Sequence, residues 1–343
     1  MRKGENISKE QLLTKSTINH RIIIPIHIPR LEGYYTESFS VFEMCLNSIQ
    51  KTSVYDHHIS VVSDGCCKAV NDRLYEFVSE KKIDELIIET ENIGKINAIL
   101  KVLRTVEEDY VTITDADILF LHQWDTEVFN VFKAFKKAAV VSPIPVFRKQ
   151  LSYTANIWLD YLWSSKLQFR PVKNPIALEK FAQSIGWNSL EDRFKDVIVT
   201  LKENNVTSVV SAVHCVATYK TAYLKHSLPN TSSAYKLGGH SEGDYLDQPP
   251  YESDGYRLST YNNYAYHVGN VIEPWMVEVY ANLNDITPKI TLPDIETERP
   301  KLKPLKRGLQ KLFLLALKQK TVYNYLLLKK GLTQTQLKTF WYT

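Results

Sequence analysis

The stretch from Tyr110 to Phe120 reads Tyr-Val-Thr-Ile-Thr-Asp-Ala-Asp-Ile-Leu-Phe, an apolar β-branched run that ends on two carboxylates. Tyr110–Thr114 has the length and composition of a buried strand. Asp115 and Asp117 follow it directly, two residues apart, and the apolar stretch Ile118–Leu121 lies beyond them. Carboxylates placed there repel each other and resist desolvation unless something positive joins them. A divalent cation carrying a bound diphosphate satisfies both. Hard oxygen ligands suit Mg²⁺ or Mn²⁺, ions commonly held by one or two carboxylates plus substrate phosphates.

Working outward, the first half alternates strand-like and helix-like segments. Arg21–His27, His58–Ser63, Glu85–Glu89 and Ala138–Ser142 read as strands besides Tyr110–Thr114. Ser38–Gln50, Ala69–Ser79, Gly94–Arg104 and Thr126–Lys136 carry helical spacing between them. Such alternation predicts βαβ units, an α/β fold with a mostly parallel sheet flanked by helices. Ligands of these sheets bind beyond the carboxyl ends of the strands, here just after His27, Ser63, Glu89 and Thr114. The middle, roughly 148–237, is less regular and rich in aromatics, including Tyr153, Trp158, Tyr161, Trp163, Phe169 and Trp187. It reads as helical material forming an acceptor cleft, its aromatics serving sugar stacking or plain core packing.

Composition narrows the function classes. A chain of 343 residues with 44% hydrophobic and 23% charged residues buries an ordinary globular core. Cys45, Cys66, Cys67 and Cys215 lack metal-ligand spacing and read as reduced structural thiols. Neither an apolar leader nor a membrane-spanning run is present, which predicts a cytoplasmic protein. Charge is unevenly distributed: residues 301–343 hold ten Lys/Arg and no Asp/Glu. Taking those ten from the chain's 42 leaves 32 basic against 38 acidic residues, a net of −6. Within the tail, Leu305, Leu309, Leu312, Phe313 and Ala316 recur at helical spacing among lysines. A basic amphipathic helix of this kind suits an anionic membrane interface, which would set the protein at the inner face of the cytoplasmic membrane. The alternative is a helix that packs on the domain with a solvated basic face. The acidic body offers no basic stripe, so nucleic acid is not an expected partner.

In order along the chain, these segments resemble the family-2-type glycosyltransferases, which have the nucleotide-diphospho-sugar transferase fold called GT-A. Pro25-Ile26-His27 is similar to the family's opening strand, and Ser63-Asp64-Gly65 to its base-reading turn. Asn92-Ile93-Gly94-Lys95-Ile96-Asn97-Ala98 resembles its N-x-G-K-x-x-A stretch, and Thr114–Asp117 its metal-binding D-x-D. Gly238-Gly239, Glu242, Asp244 and Gly255-Tyr256-Arg257 follow, then Tyr266-His267-Val268-Gly269. The family's Glu-Asp pair departs here: Gly243 stands in second place and Asp244 comes one residue late.

The resemblance implies an inverting, metal-assisted hexosyltransferase of polysaccharide biosynthesis. It would move a sugar from a nucleotide-sugar, usually carried on UDP, to a glycan or lipid-linked acceptor. Asp117 and His267 would hold Mn²⁺ or Mg²⁺, with Asp115 on the ribose or a metal-bound water. Pro25, His27, Asp64, Asn92 and Lys95 would line the donor site. Lys95 and the backbone N–H groups around it would be open to an anion. Glu242 or Asp244 would be the general base. The implied organisation is a GT-A domain over 1–291, its nucleotide half about 20–145 and its acceptor half about 146–291. A linker over 292–304 and a helical tail over 305–343 complete it. Two other readings stand beside this one. One is a nucleotidyltransferase of related fold, disfavoured because no glycine follows the first strand before Gly33. The other is a degenerate member that binds nucleotide or glycan without turnover.

Overall fold

A computed structural model describes residues 4–5, 7–12, 16–225, 231–295 and 304–340. Its strands are β1 (His20–Ile26), β2 (His58–Asp64), β3 (Glu85–Glu89), β4 (Tyr110–Thr114), β5 (Ile118–Phe120) and β6 (Ala138–Ser142). They continue with β7 (Leu167–Pro171), β8 (Val197–Glu203), β9 (Val206–Val209), β10 (Val216–Lys220), β11 (Tyr256–Thr260) and β12 (Ala265–His267). Ten of them form one sheet in the order β3-β2-β1-β4-β10-β6-β11-β9-β8-β7. The pairs β3–β2, β2–β1, β1–β4 and β6–β11 are parallel. β1, β2, β3, β4, β6, β8 and β11 point one way, and β7, β9 and β10 run against them. The sheet is therefore the mixed, mostly one-directional sheet of a GT-A-like α/β fold, flanked by helices.

The five expected strands form within a residue of their expected bounds, because short apolar runs alternating with amphipathic helices favour strands of a mostly parallel sheet. Residues 148–237 depart from the expectation. Among the described residues they contribute β7, β8, β9 and β10, with short helices at Ala155–Asp160, Pro175–Ser184, Asp192–Asp196 and Thr221–Lys225. A hairpin whose two turn residues, Asn204 and Asn205, both take positive φ joins β8 to β9, and asparagine tolerates that left-handed backbone. β10 then slots between β4 and β6. Of the aromatics there, Trp158 and Phe169 are core, Trp163 is exposed and Trp187 is half-buried.

The tail forms three helices, Pro304–Leu317, Lys320–Lys329 and Gln334–Thr339. Part of the expected linker, 296–303, lies outside the described residues. The helices pack onto the domain: Leu317, Tyr323, Leu326, Leu327, Leu332 and Phe340 share a core with Trp158, Phe169 and Val199. Lys306 bridges Asp160 (2.8 Å) and Asp254 (2.6 Å). The Lys330 Nζ, nearly buried, donates to the carbonyls of Tyr161 and Ser164. Leu327→Ala, at a fully buried position, is expected to cost about 2–5 kcal/mol. Chemical denaturation would show it, and an unchanged midpoint would mean that the tail is not part of the core.

The His20 ring sits against Trp124, Phe129 and His57. His20 Nε2 hydrogen-bonds Thr112 Oγ1 at 2.7 Å. Burial pushes the His20 imidazole down to about 3, partly opposed by Glu108, and burial depresses His57 as well. Burial alone would raise Glu108, but hydrogen bonds from Arg21 and His58 outweigh it and hold the carboxyl at about 2. Both shifts act in the same direction. The unfolded chain takes protons at His20 below 6.5 and at Glu108 below 4.5, while the folded chain refuses them until about 3 and about 2. Stability therefore falls on acidification, by about 2 kcal/mol at pH 5 from His20 alone. Denaturant melts at pH 7 and pH 5 should show this, with a flatter dependence in His20→Gln.

Candidate active site

The carboxyl ends of β1, β2 and β4 open onto one cavity of about 460 Å³. Pro25, His27, Asp64, Asn92, Lys95, Asp115 and Asp117 all line it, so every donor-side residue expected from the sequence is brought together. A second cavity of about 660 Å³ adjoins it, sharing Lys95, Asp115 and Leu237 as a common wall. Glu242, His267, His214, Phe147, Arg148 and Trp187 line that second space.

The acidic centre is assembled by two backbone pairings. Asp115 N–H donates to the Cys215 carbonyl at 2.7 Å, pinning the turn after β4 to the start of β10. β5 and β12 pair antiparallel with His267 opposite Ile118, and Val268 N–H donates to the Asp117 carbonyl. Residues 150 positions apart thus become neighbours, with His267 Nε2 3.4 Å from Asp117 Oδ2. Ligand atoms of Asp115, Asp117 and His267 all lie within 4.8 Å of one another. Asp117 Oδ1 and His267 Nδ1 are buried without a hydrogen-bond partner. Burial pushes the Asp117 carboxyl up to about 6; His267 and Lys95 pull it back, and Asp115 adds to the rise. Two carboxylate groups, an imidazole and an orphaned oxygen form a donor set that fits a hard divalent cation.

Lys95 stands at the centre of the charge balance. Its Nζ lies 2.6 Å from Asp115 Oδ1 and 3.9 Å from Glu242 Oε1. Burial alone would depress this ammonium, but the charge and hydrogen bond of Asp115 outweigh it and hold it above the usual lysine range. Three of the amides at the start of the Lys95–Leu103 helix are engaged within the protein. Ile93 and Gly94 N–H groups donate to the Asp64 carboxylate at 2.6 and 3.0 Å, and Lys95 N–H donates to the Lys236 carbonyl at 3.0 Å. The ammonium of Lys95 sits at the wall that the two cavities share. Asp64 likewise spends its oxygens on shaping this loop. Gly94 permits the arrangement: its φ is +93°, and a Cβ would come within 2.6 Å of Lys236 Cα.

His27 joins the same floor. Its Nδ1 lies 2.5 Å from the Asp64 carbonyl oxygen and its Nε2 3.1 Å from Asn92 Nδ2. The Asn92 side-chain oxygen is buried and lacks a hydrogen-bond partner.

Of the two candidate bases, Glu242 is half-buried and lines the second cavity, whereas Asp244 is exposed and lines neither cavity. The late position of Asp244 has a structural counterpart: Gly243–Asp247 forms a π-helical turn, which holds one residue more than an α-helical turn. Sequence reading missed Tyr34 and Tyr35, on the short 3-10 turn Gly33–Tyr35, and Lys236 and Asn270, in loops, all of which line the first cavity. It also missed a chain that runs from the buried Arg257 to the wall of the second cavity. Arg257 binds Asp247 at 2.6 Å, and Asp247 Oδ2 lies 3.4 Å from His214 Nδ1. Arg257 lay within the quoted Gly-Tyr-Arg segment, but only the fold links it to the other two.

The family model described as glycosyl transferase family 2 matches residues 34–185. Over that span the chain is similar to the family-2 glycosyltransferases, and its fold is GT-A-like. No curated protein matches the sequence. Among solved structures, the chain is similar to the mannosyltransferase PcManGT from Pyrobaculum calidifontis in complex with GDP-Man and Mn²⁺. Identity is 16%, the TM-score 0.41, and coverage 71% of this chain and 55% of that one. It is also similar to S. aureus TarS 1-349 in complex with UDP-GlcNAc, at 14% identity and a TM-score of 0.43, covering 76% of this chain and 64% of that one. The chain thus spans less than two thirds of either protein's length.

Proposed function

We propose that this chain transfers a sugar, with inversion, from a nucleotide-diphospho-sugar to a hydroxyl of a glycan or lipid-linked acceptor. The observation that carries the reading is the Asp115–Asp117–His267 cluster, with its orphaned Asp117 oxygen, at the wall shared by two adjoining cavities. The smaller cavity takes the donor and the larger takes the acceptor. Asp117 and His267 would hold a divalent cation, with Asp115 beside them. Such an ion supplies positive charge to a diphosphate leaving group. Lys95 presents its ammonium to the same diphosphate and keeps Asp115 in place. Glu242 takes the proton of the attacking hydroxyl as its oxygen bonds to the anomeric carbon and the bond to the diphosphate breaks. UDP is the proposed carrier, on the family resemblance alone, and Mn²⁺ or Mg²⁺ the proposed ion.

The test is a screen of UDP-, GDP- and dTDP-sugars with Mn²⁺, reading released nucleoside diphosphate. Release with one donor, stopped by EDTA, supports the reading. Nucleotide binding by calorimetry without release, with glycan and lipid-linked acceptors supplied, would point instead to a binding protein without turnover.

A further inference from the structure

The Pro304–Leu317 helix has two apolar faces. Its inner face buries Gln310 and Leu317, packs Phe313 against the core and lays Lys306 on Asp160 and Asp254. Its outer face leaves Leu305 78%, Leu309 50%, Leu312 64% and Leu315 56% exposed. At about 100° per residue, Leu305, Leu309, Leu312 and Ala316 fall along one stripe, Leu315 lies beside it, and Arg307, Lys311 and Lys318 follow on the far side of Leu315. Arg307 reaches Glu252 of the domain at 3.1 Å. A helix docked on a domain ordinarily turns polar residues outward, so this row of leucines needs a partner of its own.

A second cluster on the tail has a similar character. Trp163 is 78% and Tyr325 63% exposed, and the Lys329 ammonium sits 4.1 Å from the Trp163 ring centre and 5.9 Å from that of Tyr325. Exposed Trp and Tyr beside lysine are the side chains that settle at a lipid–water interface. The tail itself, over 301–343, carries no carboxylate side chain that would repel an anionic surface. A second copy of the chain is a poorer occupant, since pairing two such faces brings like charges together. No helix among the described residues is long and apolar enough to cross a membrane, so the contact is one of lying on a surface.

We infer that the outer face of the Pro304–Leu317 helix docks on an anionic phospholipid surface. The leucines enter the boundary between headgroups and acyl chains, and Lys311 and Lys318 meet lipid phosphates. The inner face meanwhile stays on the domain, so docking needs no unfolding of the tail. This reading goes beyond the proposed transfer and stands whether or not a nucleotide-sugar is the donor.

The experiment is co-sedimentation of the full chain with vesicles of phosphatidylcholine, with and without phosphatidylglycerol. Binding is expected only to the anionic vesicles and should weaken as salt is raised. Leu309→Ser with Leu312→Ser, and separately Lys311→Glu with Lys318→Glu, should each lower it by about tenfold or more. All four positions are exposed, so the thermal midpoint should hold and donor release should be unaltered. Absent binding by the native chain, or undiminished binding by both variants, overturns the inference. So does dimerisation that these substitutions abolish while no vesicle is bound.

Discussion

Replacing Asp117 with asparagine should lower sugar transfer by about 10³-fold or more while the protein still folds. The side chain keeps its shape, but the site loses the charge that sets it apart. Asp117 is the only member of the cluster that has both a close contact to His267 and an oxygen without a partner among the described residues. Asp115 is different, because Lys95 already neutralises it at 2.6 Å. A cation near this turn therefore draws its unspent negative charge chiefly from Asp117. Removing that charge should weaken Mn²⁺ binding by calorimetry in parallel with turnover, and circular dichroism should be unchanged. Turnover within tenfold of the native value, with metal binding intact, would mean that the cluster is not the centre of the reaction.

The parts of this architecture visible in the sequence share a physical feature. β1, β2, β3 and β4 are short apolar runs between helices of period 3.6, and the carboxyl ends of such strands converge wherever the sheet is parallel. Pro25, His27, Asp64, Asn92, Lys95, Asp115 and Asp117 could therefore be placed around one cavity before any coordinates. β7 to β10 carry a weaker pattern: they pair antiparallel, and a hairpin turn of two asparagines lacks the glycine that usually marks such turns. Asp64 and the amides at 93–95 show a different gap. Sequence placed them at the site but not what they bind, because Lys236, which occupies the Lys95 amide, is 141 positions away. The tail shows a third. Its leucines read as one stripe in the sequence, whereas the helix uses Phe313 and Leu317 inward and Leu305, Leu309 and Leu312 outward. The tail packs on the domain, as one of its two readings had it, and leaves an apolar face with lysines exposed.

The choice of base follows from the π-helical turn. In an α-helical turn, adding a residue between Glu242 and Asp244 would rotate everything beyond it by about 100°. Here Gly243–Asp247 holds the added residue in a wider turn, and Asp247 remains aimed at Arg257 and His214. Glu242 stays on the cavity side, 3.9 Å from Lys95, while Asp244 turns out to solvent. Glu242→Gln should consequently cut kcat by about 10²–10⁴-fold, the range for loss of a general base. The donor's KM should change little, because Glu242 does not line the donor cavity. Asp244→Asn should leave kcat within about threefold, as an exposed carboxylate outside both cavities. Steady-state kinetics of the two variants, with the pH dependence of kcat, separates the assignments. A native profile that loses its acid limb in Glu242→Gln identifies that carboxylate as the proton acceptor. A large loss in Asp244→Asn with little in Glu242→Gln would move the role to Asp244 and require the turn to rearrange when the acceptor binds.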